Sequence, residues 1–290
     1  MSKQKSDAEL TKHNQKAIQI TKDFLDSLVS SDNIKDKGRA DKLSYWLEDY
    51  IKFLKYEKEF TPRKLPKYKR GQVIKVHLGY NIGSEEGGLH YAIVLDKNNS
   101  VNSPVVTIVP LTSLKPNVDV SNIRSALGDI FLGNELYRSL DSKFKFLWLH
   151  ISSEIEQCRS DLKVFDKEEA ELETLFNEKI AEVANVETIQ GFTEVMAEFD
   201  KKKQDLQDLN TKIKKRIENL EKEHSSLTRT GKEIEKMKIG SIALVNQITT
   251  ISKIRIYDPK NQYDILSNIR ISNEALDKID NALTSMFTNK

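Results

Sequence analysis

Two series of apolar residues at seven-residue spacing place the strongest constraint on the fold of this chain. Charged residues flank both series, and this pattern predicts long helices that pair as a coiled coil. The series are out of phase, because 20 residues separate Leu172 from Phe192. We therefore expect a turn at residues 185–191. The members are Phe144, Ile151, Cys158, Phe165 and Leu172 in the first series, and Phe192, Phe199, Leu206, Ile213, Leu220 and Leu227 in the second.

Short β-branched segments lie on both sides of this helical region. Residues 71–79, 91–96 and 104–111 precede it, and residues 240–258 follow it as two further predicted strands. One continuous helix of about 90 residues would end on the order of 130 Å from its start, at about 1.5 Å per residue. A common sheet therefore requires a hairpin. We expect residues 143–237 to form two antiparallel helices of about 40–45 residues, each on the order of 60 Å long.

Helices are also predicted at both ends of the chain. Residues 8–31 and 40–58 form two of them, and the second carries an apolar stripe that must pack against another surface. Residues 271–287 form a closing helix with Ser272 as its N-cap. The stripe consists of Leu43, Trp46, Leu47, Tyr50, Ile51 and Leu54, and the expected buried face of the closing helix consists of Leu276, Ile279, Leu283, Met286 and Phe287.

These elements predict an α+β fold in three parts. Residues 1–65 form a helical N-terminal arm. Residues 66–120 and 238–290 together form a β-rich domain with a C-terminal helix. Residues 121–237 form a helical coiled-coil hairpin that interrupts this domain.

Composition narrows the classes of function. The net charge of +2 is too small to indicate a nucleic-acid-binding protein by itself. Cys158 is the only cysteine, so no intrachain disulfide can form and a reducing compartment is expected. No spacing of His, Cys or carboxylates is typical of a metal site, and "GSEEGG" lacks the Lys-Ser/Thr of a phosphate-binding loop. With no recognisable signal peptide or membrane span, we expect a cytoplasmic protein without cofactor, metal or membrane partner.

The β-rich segments carry a resemblance to a known family. "KRGQVIKVHLGYNIGSEEGGLHYAIVL" is followed by "NSVNSPVVTIVPLTS", and "GSIALVNQITTISKIRI" is followed by "EALDKIDNALTSMF". In this order they resemble the opening strand and G-S-E-x-G-G turn, the N-x-x-S-P-T-x-I-V-x-x-x-T stretch, the Q-I-R-T segment and the final helix of the MazF/PemK/Kid toxins. These are the toxin halves of type II toxin–antitoxin systems.

The resemblance implies a fold, an activity and partners. The fold is a small SH3-like β-barrel with a C-terminal helix, assembled as a two-fold homodimer. The activity is that of a metal-independent endoribonuclease, which cuts single-stranded RNA (mRNA) within a short sequence by attack of the 2′-hydroxyl. It leaves a 2′,3′-cyclic phosphate and a 5′-hydroxyl. The expected protein partner is a cognate antitoxin.

The resemblance also assigns roles to individual residues. Thr112 matches the catalytic threonine, and His90 stands where the family has its catalytic arginine. The residues expected to bind RNA are Ser84 and Glu85 of the turn, Gln247, Thr249 in place of an arginine, and the basic pair Lys253 and Arg255.

The replacement of arginine by His90 leaves two hypotheses open. Histidine titrates near neutral pH and can transfer a proton as base or acid, whereas arginine supplies a fixed charge. His90 and Thr112 can therefore form a catalytic pair. Alternatively, a catalytically inactive barrel binds RNA or protein, and the coiled-coil arm recruits a partner. His77 and His150 are assigned to structural positions.

Overall fold

The computed structural model describes residues 5–115, 119–120, 123, 128–183, 189–238 and 240–289. Over these residues the chain is a mixed α+β protein with an antiparallel sheet, which confirms the predicted class. The chain divides into two compact units, namely Met1–Leu132 with Ser241–Lys260 and Arg270–Lys290, and Gly133–Gly240 with Asn261–Ile269. The elements are α1 Asp7–Val29, α2 Ile34–Tyr56, β1 Val73–His77, β2 Leu89–Val94, β3 Val105–Ser113, β4 Asp129–Gly133, α3 Glu135–Val183, α4 Ile189–Lys236, β5 Ser241–Leu244, β6 Thr249–Ser252, β7 Ile256–Asp258 and α5 Asn273–Phe287.

The sheet follows the strand order β4-β5-β3-β2-β1-β7, and β6 pairs with β3 beside this path. The nine-residue strand β3 pairs with three strands, because its first half pairs with β6, its last residues pair with β5, and residues from Ile108 to Leu111 pair with β2. The path is open among the residues that the structure describes, so closure into an SH3-like barrel stays a prediction.

The buried face of the sheet explains where the site can lie. Ala92 and Val94 of β2 and Ile108 of β3 are fully buried in one aliphatic cluster with Val76 of β1. Burying such side chains stabilises the fold by about 1.5–3 kcal/mol each. Because side chains alternate along a strand, His90 lies on this same face at the start of β2. The site thus occupies the edge of the core.

The segment after residue 238 differs from its prediction of two strands. Three short strands form, because the 3-10 turns Val245–Gln247 and Lys253–Arg255 interrupt the run. In α5 the prediction of Ser272 as N-cap is confirmed, since its side chain accepts a hydrogen bond from the backbone of Ala275. The buried face is wrong at Met286 and Phe287, which are exposed at the last turn of the helix.

Of the two N-terminal helices, α2 contacts the sheet through its apolar stripe. α2 begins earlier than predicted, because the side chain of Asn33 caps it by accepting from the backbone of Lys35. The indole of Trp46 stacks on the ring of His77 at the end of β1, with 4.7 Å between ring centroids. The stripe therefore finds its packing partner at this end of β1, although its outer members Tyr50, Ile51 and Leu54 remain exposed.

The second unit contains the two longest helices. α3 has 49 residues and α4 has 48, so both are longer than predicted. They run antiparallel, since contacts near the start of α3 reach the end of α4 and contacts further along reach its start. His150 lies 3.4 Å from Glu223, and Phe176 packs on Phe199 with 4.9 Å between centroids. Of the turn predicted at residues 185–191, residues 185–188 lie outside the described residues, and residues 189–191 form the start of α4 instead. Knobs-into-holes packing stays a prediction.

One part of the helical prediction for residues 121–237 is wrong. Residues Asp129–Gly133 form strand β4, and α3 begins only at Glu135. The physical reason is the pair of glycines that bracket the strand, because Gly128 and Gly133 both adopt positive φ, which a helix excludes. The apolar heptads begin nine residues after Glu135, at Phe144.

A short segment after β7 belongs to the helical unit. The ammonium group of Lys143 in α3 donates to the backbone carbonyls of Asp264, Ile265 and Ser267 at 2.7, 2.9 and 3.1 Å. Arg229 of α4 donates to the carbonyl of Tyr263 at 3.1 Å. Two cations thus fix residues 261–269 to the base of the helix pair.

Candidate functional site

A cavity of about 390 Å³ opens beside the glycine-rich turn. Its size falls within the usual range of ligand pockets, roughly 300–1,000 Å³. Its walls are mostly polar. Four of the eight predicted site residues line it, namely Glu85, Gln247, Thr249 and Arg255. The other lining residues are Leu78, Asn81, Glu86, Pro110, Asn246, Ile248 and Ile251.

Gln247 holds the turn in place. Its side-chain amide donates to the carbonyl of Ser84 at 3.1 Å, and its side-chain oxygen accepts from the backbone of Glu86 at 3.3 Å. Asn81 adds a bond from its amide to the carbonyl of Glu86 at 2.6 Å. Since both ends of the Gln247 amide are engaged, this residue shapes the pocket wall, and Ser84 takes part through its backbone.

His90 has a defined orientation at the start of β2. Its Nδ1 lies 3.1 Å from the carbonyl oxygen of Leu111. A carbonyl oxygen can only accept, so Nδ1 carries a hydrogen and donates it. The neutral ring therefore presents its lone pair at Nε2, which lies 3.5 Å from Oε2 of Glu86. With a second proton, Nε2 and the carboxylate form an ion pair.

Thr112 lies near the end of the neighbouring strand. β2 and β3 pair from Tyr91 opposite Leu111 to Val94 opposite Ile108. Extending this register by one residue sets Thr112 opposite His90, and side chains of directly opposite residues share one face of an antiparallel pair. The geometry is consistent with the predicted catalytic pair, although neither residue lines the cavity itself.

Arg255 is the only cation among the residues that line the cavity, all of which the structure describes. Its Nε donates to the carbonyl of His77 at 2.8 Å, and its guanidinium lies 5.6 Å from the ring centroid of Trp46. Burial lowers the pKa of Arg255 from its ordinary value, which is high enough that the group stays charged near neutral pH.

Lys253 corrects the prediction of a basic pair that binds RNA. Its side chain is only 1% exposed, and its ammonium group donates to the carbonyl of Ser100 at 2.9 Å and lies 5.8 Å from the ring centroid of Tyr68. Burial lowers the pKa of Lys253, and Asp96 partly opposes this. In the 3-10 turn Lys253–Arg255 the two basic side chains point in different directions. Lys253 enters the core, and Arg255 reaches the cavity.

Two residues of the site escaped the sequence analysis. Glu86 contacts His90 four positions along the chain, but the G-S-E pattern drew attention to Glu85. Trp46 contacts Arg255, and its only signal was membership of an apolar stripe that lacked a known packing partner. The contact of Trp46 depends on how two distant segments meet. The contact of Glu86 is local, but it depends on how the backbone of the turn folds before β2 begins.

In the part of the chain that the structure describes, no three or more His, Cys, Asp or Glu side chains are grouped so as to hold a metal ion. None of the helices in that part of the chain combines the length and the apolar character that crossing a membrane requires.

Comparison with known families confirms the resemblance over part of the chain. Residues 69–144 match the family described as PemK-like, MazF-like toxin of type II toxin-antitoxin system. The match spans β1 to β4 and the first turns of α3, and it includes Ser84, Glu85, His90 and Thr112. The segment of β5 to β7, which holds Gln247 and Arg255, lies beyond it. No curated protein matches the chain.

Proposed function

We propose that this protein is the toxin of a type II toxin–antitoxin system and acts as an endoribonuclease on single-stranded RNA. The match over residues 69–144 carries this proposal, because that segment holds His90 and Thr112 at neighbouring strand ends beside a cavity of ligand size. The proposed reaction needs no metal.

In the proposed mechanism His90 moves the proton. Neutral Nε2 takes the proton of the RNA 2′-hydroxyl, and the 2′-oxygen then attacks the adjacent phosphorus. The bond from phosphorus to the 5′-oxygen breaks, and this oxygen takes a proton from water. The products are a 2′,3′-cyclic phosphate and a 5′-hydroxyl. The Thr112 hydroxyl donates to a phosphate oxygen and stabilises the charge that develops there.

RNA binding is divided among the walls of the cavity. The partly exposed apolar side chain of Ile248 offers a surface for a nucleobase, and the guanidinium of Arg255 offers two terminal amino groups for a phosphate. Glu85 and Thr249 offer hydrogen-bonding groups to base edges. Gln247 keeps the turn with Ser84 in the shape that this requires.

The proposal extends to assembly and domains. The β-rich domain of residues 66–120 and 238–290 would form the SH3-like barrel of the family and a two-fold homodimer in the cytoplasm. A cognate antitoxin is the expected protein partner. The arm of residues 1–65 and a coiled coil within residues 121–237 are additions to that domain.

One observation favours a second candidate function. The cavity has two carboxylates, Glu85 and Glu86, against a single cation, and the two family arginines are replaced by His90 and Thr249. The loss of both arginines favours a binding module that grips RNA or protein without cutting it.

Mapping of RNA ends distinguishes the two functions. Purified protein is incubated with mixed single-stranded RNA in the presence of EDTA, and new 5′-hydroxyl ends are sequenced. The nuclease produces such ends within one short sequence, while folded His90→Ala and Thr112→Ala variants produce none. Retention of uncut RNA by the wild-type protein would support the binding module instead.

A further inference from the structure

α2 of the N-terminal arm contacts the wall of the candidate RNA site. Trp46 is the point of contact, because its indole stacks on His77 and also faces the guanidinium of Arg255. Arg255 is the cation of the cavity. A helix outside the matched segment of residues 69–144 therefore touches the group that is expected to bind phosphate.

Arg255 is held from two directions. The bond from its Nε to the His77 carbonyl uses one of five N–H donors, and Trp46 covers the guanidinium. This bond does not use the two terminal amino groups of Arg255. These groups form the fork that pairs with phosphate oxygens. A side chain fixed before binding loses less rotamer entropy when RNA arrives, so this restraint favours binding.

Gly79 shows how closely these groups are packed. A Cβ at this position would lie 3.1 Å from Cζ2 of Trp46 and 3.2 Å from Nη2 of Arg255. Its φ of +100° is also one that side chains rarely adopt. The backbone thus leaves just enough room for the indole and the guanidinium to approach each other.

We infer that Trp46 is a positioning residue for RNA binding, which makes α2 a functional part of the RNA site. Trp46 holds the guanidinium of Arg255 in the orientation that receives a backbone phosphate of single-stranded RNA. This inference rests on the proposed function. A purely structural role for Trp46 would instead attach the arm to the sheet without affecting Arg255.

The test measures RNA binding in a His90→Ala background, where the RNA remains uncut. The probe is the single-stranded oligonucleotide that wild-type protein cuts, titrated at several salt concentrations. Arg255→Ala should weaken binding by about tenfold or more, since charge-assisted hydrogen bonds contribute that much. It should also reduce the slope of log affinity against log salt by about 0.7, the value for one phosphate contact on a single strand.

Trp46→Leu should weaken binding in the same way, and Trp46→Phe should restore most of it. Tyr45→Ala is the matched control, because Tyr45 is exposed on the same helix. Trp46→Leu should have no further effect once Arg255 is alanine, whereas a merely structural role would add its own loss. If Trp46→Leu does not fold, Trp46→Met replaces it in the same comparison, because methionine keeps the apolar bulk but removes the aromatic face. An unchanged affinity and salt slope in that folded variant overturns the inference.

The outcomes separate this inference from the proposed function. Loss of binding with Arg255→Ala but not with folded Trp46→Leu overturns the role of Trp46 alone. Absence of any RNA binding or cutting by the wild-type protein overturns the proposed function, and the inference fails with it. Parallel losses for both variants, absent in Tyr45→Ala, establish the role.

Discussion

The α3–α4 helix pair and the region around the cavity are held together by different kinds of contact. The helices contain 49 and 48 residues and bury apolar side chains at a regular interval, so each turn repeats the same kind of contact. The cavity is lined by residues of the nine-residue β3, the four-residue β6, two 3-10 turns and a glycine-rich loop. Its key contacts join Glu86 to Gln247 and His77 to Arg255, which are far apart in sequence. Apolar residues at a regular interval allow two helices to pair over a long distance. Irregular segments instead set the positions of individual functional groups.

The largest expected effect concerns how much of the helix pair can be removed. Replacing residues 155–219 by a short Gly/Ser linker keeps Lys143 and Arg229, so the segment of residues 261–269 keeps its bonds. Replacing residues 143–237 removes both cations and leaves backbone carbonyls unsatisfied, at about 1–3 kcal/mol for each buried group. We expect the shorter deletion to fold and the longer one to lose several kcal/mol. Thermal unfolding and proteolysis within residues 261–269 measure this, and equal stability of the two would contradict it.

The next effect concerns catalysis at the strand ends. His90→Ala and Thr112→Ala should each reduce the rate of RNA cleavage by at least about 100-fold, the low end for a general acid or base. Stability should change little, since both side chains lie at the edge of the core and are only half-buried. Full cleavage by folded His90→Ala would remove His90 from proton transfer.

The third effect concerns whether the positive charge of Lys253 stabilises the fold or binds RNA. Lys253→Ala should lower the free energy of unfolding by about 2 kcal/mol, because it creates a cavity and leaves the Ser100 carbonyl without its donor. RNA affinity should be unchanged. Lys97→Ala, at an exposed loop position, is the control for loss of one positive charge. A stable Lys253→Ala protein with weakened RNA binding would restore the sequence-based assignment.

The smallest effect concerns the pH dependence of stability at His77. Burial lowers the pKa of His77, Asp49 opposes this and Arg255 adds to it. Its Nδ1 also accepts from the backbone of Gly79 at 3.1 Å, which requires the unprotonated nitrogen. The unfolded chain then binds the proton more readily than the folded one. The free energy of unfolding should therefore be highest above the unfolded pKa of about 6.5 and fall as the pH decreases below it.

Denaturant titrations of the wild type and His77→Asn between pH 5 and 8 measure this dependence. The variant should lose the part of the decline that comes from His77. Identical curves would show that other groups account for it.

The contrast between the two regions also explains what the sequence could predict. The helix pair was predictable because each heptad contributes the same signal, and Ser272 was predictable because an N-cap acts on the next three residues. The His90–Thr112 pairing was accessible through the family's order of motifs. The burial of Lys253 and the stack of Trp46 on His77 were not accessible, since each depends on distant segments meeting. The contact from Glu86 to His90 is local, but it depends on the backbone of the turn, which the residue spacing alone does not show. β4 was missed because its five residues, of which the last is Gly133, are too few to show a period.

The pairing of β3 with β5 has a kinetic consequence. Leu111 pairs with Ala243, and 132 positions of chain must be closed before this contact forms. If α3 and α4 associate first, the flexible chain left to close is only residues 112–134 and 237–242, which is roughly two halvings of the loop. Each halving saves about 0.6 kcal/mol of closure entropy, so the saving is on the order of 1 kcal/mol. Early association of α3 with α4 thus brings β3 and β5 close enough to pair. During synthesis both helices emerge before β5, so chain connectivity alone sets this order.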